Sequence, residues 1–150
     1  MAWSIARTCN GQYKLLDFLI LIGYNIFMLG SIIGDIAGSV FEFNNIKVKG
    51  FSFFDKNKDY TDDSVLTVAI ADWLLNGGMP GDYYYRYARM YPNLMGAYGS
   101  RFLNWVYMSR EDDLAQPYNS CDNGSAMRVG PVGWAFDTLN ETLDAAKLSA

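Results

Sequence analysis

The stretch Thr61-Asp-Asp-Ser-Val-Leu-Thr-Val-Ala-Ile-Ala-Asp-Trp-Leu74 decides the fold of this chain. Its apolar residues recur every three to four positions, which is the pattern of a helix with one buried face. The threonine and the two aspartates before them are a typical helix start, because a hydroxyl caps backbone N–H groups and acids complement the helix dipole. Capping alone accounts for this tripeptide, although its oxygens are also the ligands that hard divalent cations prefer.

A second amphipathic pattern lies upstream and predicts a helix with a buried stripe over residues 29–41. Gly34 and Gly38 lie one turn apart in it and lower helix stability, so the pattern predicts that something packs closely against the backbone there. Glu42 follows at the helix end, on the same face as Asp35 and Ser39, where its carboxylate can point into a pocket. A helix crossing at the two glycines, with solvated acids, explains the spacing about equally well.

The segment Tyr118-Asn-Ser-Cys-Asp-Asn-Gly-Ser-Ala-Met-Arg128 contains a strong turn signal at Asn123-Gly124. Glycine at such a turn permits positive φ and close approach of the backbone. Backbone N–H groups followed by a short helical stretch can bind phosphate oxygens, but a plain surface turn explains the same residues.

The rest of the chain supports an all-α fold, with no strand alternation and no internal repeat. The segment from Phe43 to Tyr60 is turn-rich and predicts a loop placed where a lid would lie. Asn76-Gly77-Gly78 predicts a helix end, the aromatic run from Tyr83 to Tyr91 predicts a core-packing helix, and residues 98–108 predict another. Thr138-Leu-Asn-Glu141 is a capping box that predicts a final helix.

Composition limits the classes of function. The 150 residues are enough for one domain, and 51% hydrophobic with 19% charged residues indicates a globular core. The net charge of −4 and a pI near 4.6 argue against a nucleic-acid partner. Cys9 and Cys121 have no metal or redox spacing, so a reducing cytoplasm is the expected location. The apolar run from Phe18 to Met28 is too short to span a membrane.

Three ordered motifs together resemble the ADP-ribosylglycohydrolase family: residues 30–42, residues 61–69 and Asn123-Gly-Ser-Ala-Met-Arg-Val-Gly-Pro131. The resemblance runs from Met28 to Ala150. It implies a compact all-helical domain with two Mg²⁺ ions at the base of an ADP-ribose cleft. It also implies that residues 1–27 are an extension outside the domain, since similar proteins begin close to the first motif.

The resemblance also implies roles for individual residues. Thr61, Asp62 and Asp63 would be metal ligands, and Glu42 would be the catalytic acidic residue that gates the cleft or transfers a proton. The segment from residue 120 to residue 127 would hold the phosphates and ribose of ADP-ribose; its candidate binding residues are Ser120, Asn123, Gly124, Ser125 and Met127. Asp122 departs from the family pattern, because relatives commonly have glycine there, and its charge would repel a phosphate.

Similar proteins are about twice as long and complete the metal site with an Asp-x-Asp-Thr motif near the C-terminus. No such motif follows Asn123 in this chain, which also has no histidine. We therefore expect residues 28–150 to be the N-terminal half of the family domain, truncated at its C-terminus. The 150 residues alone are expected to be catalytically silent, because half a cage leaves most Mg²⁺ positions to water.

The function that these observations predict is magnesium-dependent hydrolysis of the glycosidic bond between ADP-ribose and an acceptor. The substrate would be an ADP-ribosylated protein or small molecule, and the sequence leaves arginine, serine and other acceptors open. The alternative is a non-catalytic ADP-ribose-binding or structural relative, for which the missing ligands are evidence. A carboxylate-rich nucleotide pyrophosphohydrolase would need repeated Glu-x-x-Glu helices, which this chain lacks.

Overall fold

The computed structural model describes residues 28–108 and 117–150, so the predicted extension at 1–27 lies outside the described residues. The described ranges form helices and no strand, which confirms the all-α prediction. Helix α1 covers residues 28–38 and leads into a 3-10 turn at Ser39–Phe41. The later helices are α2 Asp62–Asn76, α3 Pro80–Met90, α4 Ser100–Met108, α5 Gly124–Arg128, α6 Val132–Ala135 and α7 Leu139–Ser149.

Helix α2 is the centre of the structure and packs against α3, α5 and α6. It begins as predicted at Thr61, whose side chain accepts a hydrogen bond from the Asp63 N–H. It ends at Gly77, which has φ of 75° and donates its N–H to the Trp73 carbonyl. Glycine is suited to this position because left-handed φ strains any residue with a Cβ. Of the ten buried core residues in the described ranges, four belong to α2, which is more than any other helix supplies.

The core is a single apolar cluster built around α2. Its buried members are Leu66, Ala69, Ile70, Trp73, Tyr84, Ala88, Tyr98, Val106, Val132 and Ala145. Tyr84 and Ala88 are one turn apart on α3, so the core-packing part of the aromatic-run prediction is confirmed for Tyr84. The buried Arg128 guanidinium lies 4.1 Å from the Tyr84 ring centroid. Tyr84 and Arg128 both donate to the Ser149 carbonyl, at 2.7 Å and 3.1 Å, and so connect α3, α5 and α7.

The buried stripe predicted for residues 29–41 is only partly correct. Regular α-helix stops at residue 38, and Leu29 and Ile33 are 53% and 44% exposed. The reason is that α1 is attached to α2 through its polar face, where Asp35 bonds with Thr61. An apolar stripe is therefore not the face that fixes α1.

The other helix predictions agree with the structure apart from one boundary. The Thr138 hydroxyl accepts from the Glu141 N–H and donates to the Glu141 carboxylate at 2.7 Å, so the capping box is confirmed at the start of α7. Helix α4 begins two residues later than predicted, because Ala97 has φ of 62° and Tyr98 belongs to the preceding loop. No helix in the described ranges is long and apolar enough to cross a lipid bilayer.

Candidate functional site

The start of α2 is held by a carboxylate that reaches across from α1. Asp35 Oδ2 accepts from the Thr61 N–H at 2.9 Å, from the Ser64 N–H at 3.2 Å and from Ser64 Oγ at 2.5 Å. Asp35 Oδ1 accepts from Thr61 Oγ1 at 2.6 Å. Thr61 and Ser64 are both buried. One side chain of α1 thereby satisfies two N–H groups that a helix start leaves without intrahelical partners.

Asp35 therefore fixes the position of the Thr-Asp-Asp tripeptide, although the motifs in the sequence assigned Asp35 no role in the site. The signal available in the sequence was its position on one helix face with Glu42. That spacing does not reveal a partner 26 residues away, and only the tertiary structure brings the two segments together. The Thr61 hydroxyl accepts from the Asp63 N–H as it donates to Asp35, so one of its lone pairs is left for a further ligand.

The two aspartates of the tripeptide are in an environment that disfavours negative charge. Burial, together with the charges of Asp63, Glu42 and Asp35, raises the pKa of Asp62 to about 6, although a backbone hydrogen bond acts in the opposite direction. Burial also raises the pKa of Asp63, followed by the charges of Asp35 and Glu42. Four carboxylates are thus close enough to interact, and a bound cation would relieve this repulsion.

A pocket of about 470 Å³ lies beside these carboxylates. Its walls come from α1, the start of α2 and the segment around α5, and its lining residues are Ser31, Gly34, Asp35, Gly38, Ser39, Glu42, Thr61, Asp63, Thr67, Asn123 and Met127. The lining contains three carboxylates and no lysine or arginine. The pocket can accordingly accept cations or hydroxyl groups, and an anionic ligand would need a positive charge supplied with it.

The two glycines of α1 line this pocket, so of the two interpretations of their spacing the structure favours an open approach to the backbone over a helix crossing. Within residues 28–108 and 117–150, a Cβ atom at Gly34 or Gly38 would meet no atom within 4 Å. Both glycines instead leave space on the pocket side of α1. Their flat surface lets a ligand approach the backbone, which is a second use of glycine that helix spacing alone does not distinguish.

The sequence predicted six site residues outside the Thr-Asp-Asp tripeptide, and three of them line the pocket: Glu42, Asn123 and Met127. Ser120, Gly124 and Ser125 are not among the lining residues. Ser120 Oγ instead lies 3.1 Å from Asp122 Oδ2 and accepts from the Asp122 N–H at 3.1 Å. Asp62 is also outside the lining, whereas Thr61 and Asp63 are in it.

Gly124 does not have the positive φ that the turn signal suggested. It is the first residue of α5, and a Cβ there would lie 3.6 Å from Arg128 Nη1, an ordinary contact. The turn is instead closed by the Asn123 carbonyl, which accepts from the N–H groups of Ala126 and Met127 at 2.9 and 3.0 Å. A helix start has replaced the expected left-handed turn, because Asn-Gly is compatible with both.

The predicted loop between α1 and α2 is confirmed, since residues 43–60 contain no helix or strand. Lys58 anchors it to the end of α1: its Nζ donates to the carbonyls of Ala37 and Ser52, each at 2.6 Å. The same ammonium lies 4.9 Å from the Phe41 ring centroid and 5.1 Å from that of Phe51. Lys58 thus holds the loop against Ala37 and Phe41, which lie just before Glu42 in the chain.

The described residues fit a hard cation by chemistry but do not form a complete cage. Thr61, Asp62 and Asp63 offer one hydroxyl and two carboxylates, the oxygen donors that Mg²⁺ prefers, in a site where negative charges repel one another. Within residues 28–108 and 117–150, however, no group of three or more acidic, cysteine or histidine side chains is arranged to hold a metal ion. Mg²⁺ commonly retains several waters, so the remaining positions would be filled by water or substrate oxygens.

Residues 26–150 match the family model described as ADP-ribosylglycohydrolase, which covers most of the chain and includes all the pocket residues. No curated protein and no solved structure matches the chain.

Proposed function

Because this chain belongs to the ADP-ribosylglycohydrolase family, we propose that it acts in the magnesium-dependent removal of ADP-ribose from an acceptor. Family membership supports a glycohydrolase in general. The observation that carries the finer proposal is the carboxylate-lined pocket formed by α1, α2 and α5, with the Thr-Asp-Asp tripeptide at its edge. Acidic groups flanking a pocket are the usual machinery of glycoside hydrolysis.

Thr61, Asp62 and Asp63 are the residues that would hold Mg²⁺. The ion would supply positive charge to bind and orient substrate oxygens next to the reacting carbon. Asp35 supports this assignment, since its bonds to Thr61 and Ser64 fix the first turn of α2 and so keep the donor oxygens in place. The raised pKa of Asp62, at about 6, still leaves its carboxylate mainly ionised at neutral pH, as metal binding requires.

Glu42 is the group that we assign to proton transfer. Its side chain lines the same pocket as Asp63. A carboxylate in this position can take a proton from an attacking water or give one to the leaving acceptor. Asn123 and Met127, on the α5 side, would contact the ribose or phosphates.

The substrate that we propose is an ADP-ribosylated protein or small molecule, and an assay on arginine-linked and serine-linked substrates distinguishes the acceptor. We place the protein in the cytoplasm, since Cys121 is an exposed free thiol and thiols stay reduced there.

A second candidate is an ADP-ribose-binding protein without catalysis. It is favoured by the lack of a complete metal-holding group within residues 28–108 and 117–150. Such a protein would bind ADP-ribose in the same pocket and release no product.

The test is to incubate the purified full-length protein, meaning the longer form with the C-terminal half that the family resemblance predicts, with arginine-linked, serine-linked and small-molecule ADP-ribosyl substrates, in the presence of Mg²⁺ or of a chelator. We expect ADP-ribose release that depends on Mg²⁺ and is lost in Asp62→Asn with Asp63→Asn. Asp55→Asn, an exposed aspartate of the α1 to α2 loop, is the matched control and should retain activity. Equal release by the double variant would refute the assignment, and binding without release on every substrate would favour the second candidate.

A further inference from the structure

Gly96 has an unusual position in the loop between α3 and α4. Its φ is +80°, and the next residue, Ala97, has φ of +62°. Positive φ is uncommon for a residue with a Cβ, so two such residues in succession indicate a backbone shape that the surroundings impose. The group that lies beside Gly96 is the carboxylate of Glu42, which also lines the pocket.

The carboxylate of Glu42 lies directly against the Cα atom of Gly96. A Cβ at Gly96 would overlap Glu42 Oε2 and would lie 3.3 Å from Glu42 Cδ and 3.6 Å from Oε1. Only a residue without a side chain leaves room for the carboxylate there. The end of the Glu42 side chain therefore rests on the α3 to α4 loop, although its backbone belongs to the segment that follows α1.

Both partners in this contact are held in place by their own segments. Tyr98 is buried and donates its hydroxyl to the Tyr91 carbonyl at 3.0 Å, which closes the loop that carries Gly96. Glu42 donates its N–H to the Ser39 carbonyl at 3.4 Å, and Ser39 Oγ donates to the Ile36 carbonyl at 2.9 Å. The contact thus joins two fixed backbones through one side chain.

We infer that Gly96 is a positioning residue: the space left by its missing side chain holds the Glu42 carboxylate and fixes it at the edge of the pocket. This inference rests on the proposed role of Glu42 in proton transfer. A side chain at position 96 would occupy the space of the carboxylate and force Glu42 to another rotamer. The acid would remain present but would be misplaced relative to the reacting bond, where small displacements have large effects on rate.

The contact is tested first without any assay of activity, by a double-mutant cycle on thermal or denaturant unfolding. Gly96→Ala is made in the native chain and in Glu42→Ala. Gly77→Ala, made in both backgrounds, is the control for a glycine of positive φ, because its φ is +75° and its Cβ would meet nothing within 4 Å, so its effect should not depend on Glu42. Gly99→Ala controls for a glycine in the same loop with open surroundings and no positive φ.

We expect Gly96→Ala to lower the unfolding midpoint more in the native chain than in the Glu42→Ala background, whereas the loss caused by Gly77→Ala should be the same in both. If Gly96→Ala alone does not fold, recovery of folding in the double variant supports the contact equally. An equal loss of unfolding midpoint in both backgrounds, or failure of both variants to fold, would contradict the proposed contact between Gly96 and Glu42.

The same variants are then compared in Mg²⁺-dependent release of ADP-ribose by the full-length protein. Correctly placed proton transfer contributes about 10² to 10⁴ in rate, so we expect Gly96→Ala to lower kcat at least tenfold with a change in KM of less than threefold. In the Glu42→Ala background it should lower kcat no further, and Gly99→Ala should leave kcat unchanged. Additive losses in kcat would contradict positioning through Glu42. If the unfolding cycle shows coupling but the protein releases no ADP-ribose, the hydrolase proposal is refuted while the contact between Gly96 and Glu42 is supported.

Discussion

Replacing Asp35 by alanine should remove the hydrogen bonds between α1 and the start of α2 and so lower the free energy of unfolding. The substitution removes the acceptor of four hydrogen bonds, from the N–H groups and hydroxyls of Thr61 and Ser64. Hydrogen bonds to a charged group contribute about 1.5–3 kcal/mol each, but they are not additive, and water can replace some partners at this pocket edge. We therefore expect a loss of roughly 3 kcal/mol, a large part of the ~5–15 kcal/mol typical of a domain.

The assay is urea unfolding followed by far-ultraviolet circular dichroism, together with a thermal melt. A loss of about 3 kcal/mol corresponds to a fall of roughly 10 °C in Tm for a domain of this size. Asp35→Asn keeps one acceptor oxygen and should lose about half as much. Asp55→Ala is the control: this exposed carboxylate accepts a local bond from the Asn57 N–H at 2.9 Å, and its loss should change stability by less than about 1 kcal/mol. If Asp35→Ala were as mild as Asp55→Ala, Asp35 would not determine the position of the tripeptide.

Three further predictions concern other parts of the structure. Burial raises the pKa of Asp62 from 3.8 to about 6, so the folded, metal-free protein binds more protons than the unfolded chain in that window, and its free energy of unfolding should fall as pH rises through it. Because Asp62 is partly exposed, its share of the fall is about 1 kcal/mol. Asp62→Asn should remove this share and leave that of Asp63, whose pKa is also raised, and a stability that rises over this window would contradict the pKa. Lys58→Met removes the ammonium bonded to Ala37 and Ser52, so limited proteolysis should cut residues 43–60 several times faster than in Lys56→Met, and equal rates would argue against the anchor. Thr138→Ala should destabilise α7 by about 1 kcal/mol through loss of its cap, and an unchanged urea midpoint would show that the cap is dispensable.

Local signals in the sequence were sufficient for most of the helices. Thr61 and Thr138 cap α2 and α7 as their hydroxyls predicted, and Gly77 ends α2 in the expected left-handed conformation. These features depend on residues within one or two turns of each other, which a sequence displays directly. Glu42 and Asn123 line the pocket, and the roles assigned to them stay predictions.

Features that depend on distant partners could not be predicted in the same way. Asp35 bonds to residues 26 and 29 positions away, and Glu42 touches Gly96, which nothing in its own segment indicates. The two glycines of α1 were compatible with a helix crossing or with a pocket beside the backbone, because spacing alone cannot distinguish a neighbouring helix from open pocket space. Gly124 was given a left-handed turn, because the sequence did not show that α5 would begin there.

The central claim is that Asp62 and Asp63 provide a magnesium site on which ADP-ribose binding depends. The direct measurement is calorimetric titration of ADP-ribose into the full-length protein with Mg²⁺ and with a chelator, repeated with Asp62→Asn and Asp63→Asn combined. We predict binding that requires Mg²⁺ and falls at least tenfold in the double variant, since the anionic ligand otherwise meets a pocket lined by carboxylates. Equal affinity with and without Mg²⁺, unchanged by the two substitutions, would contradict the claim.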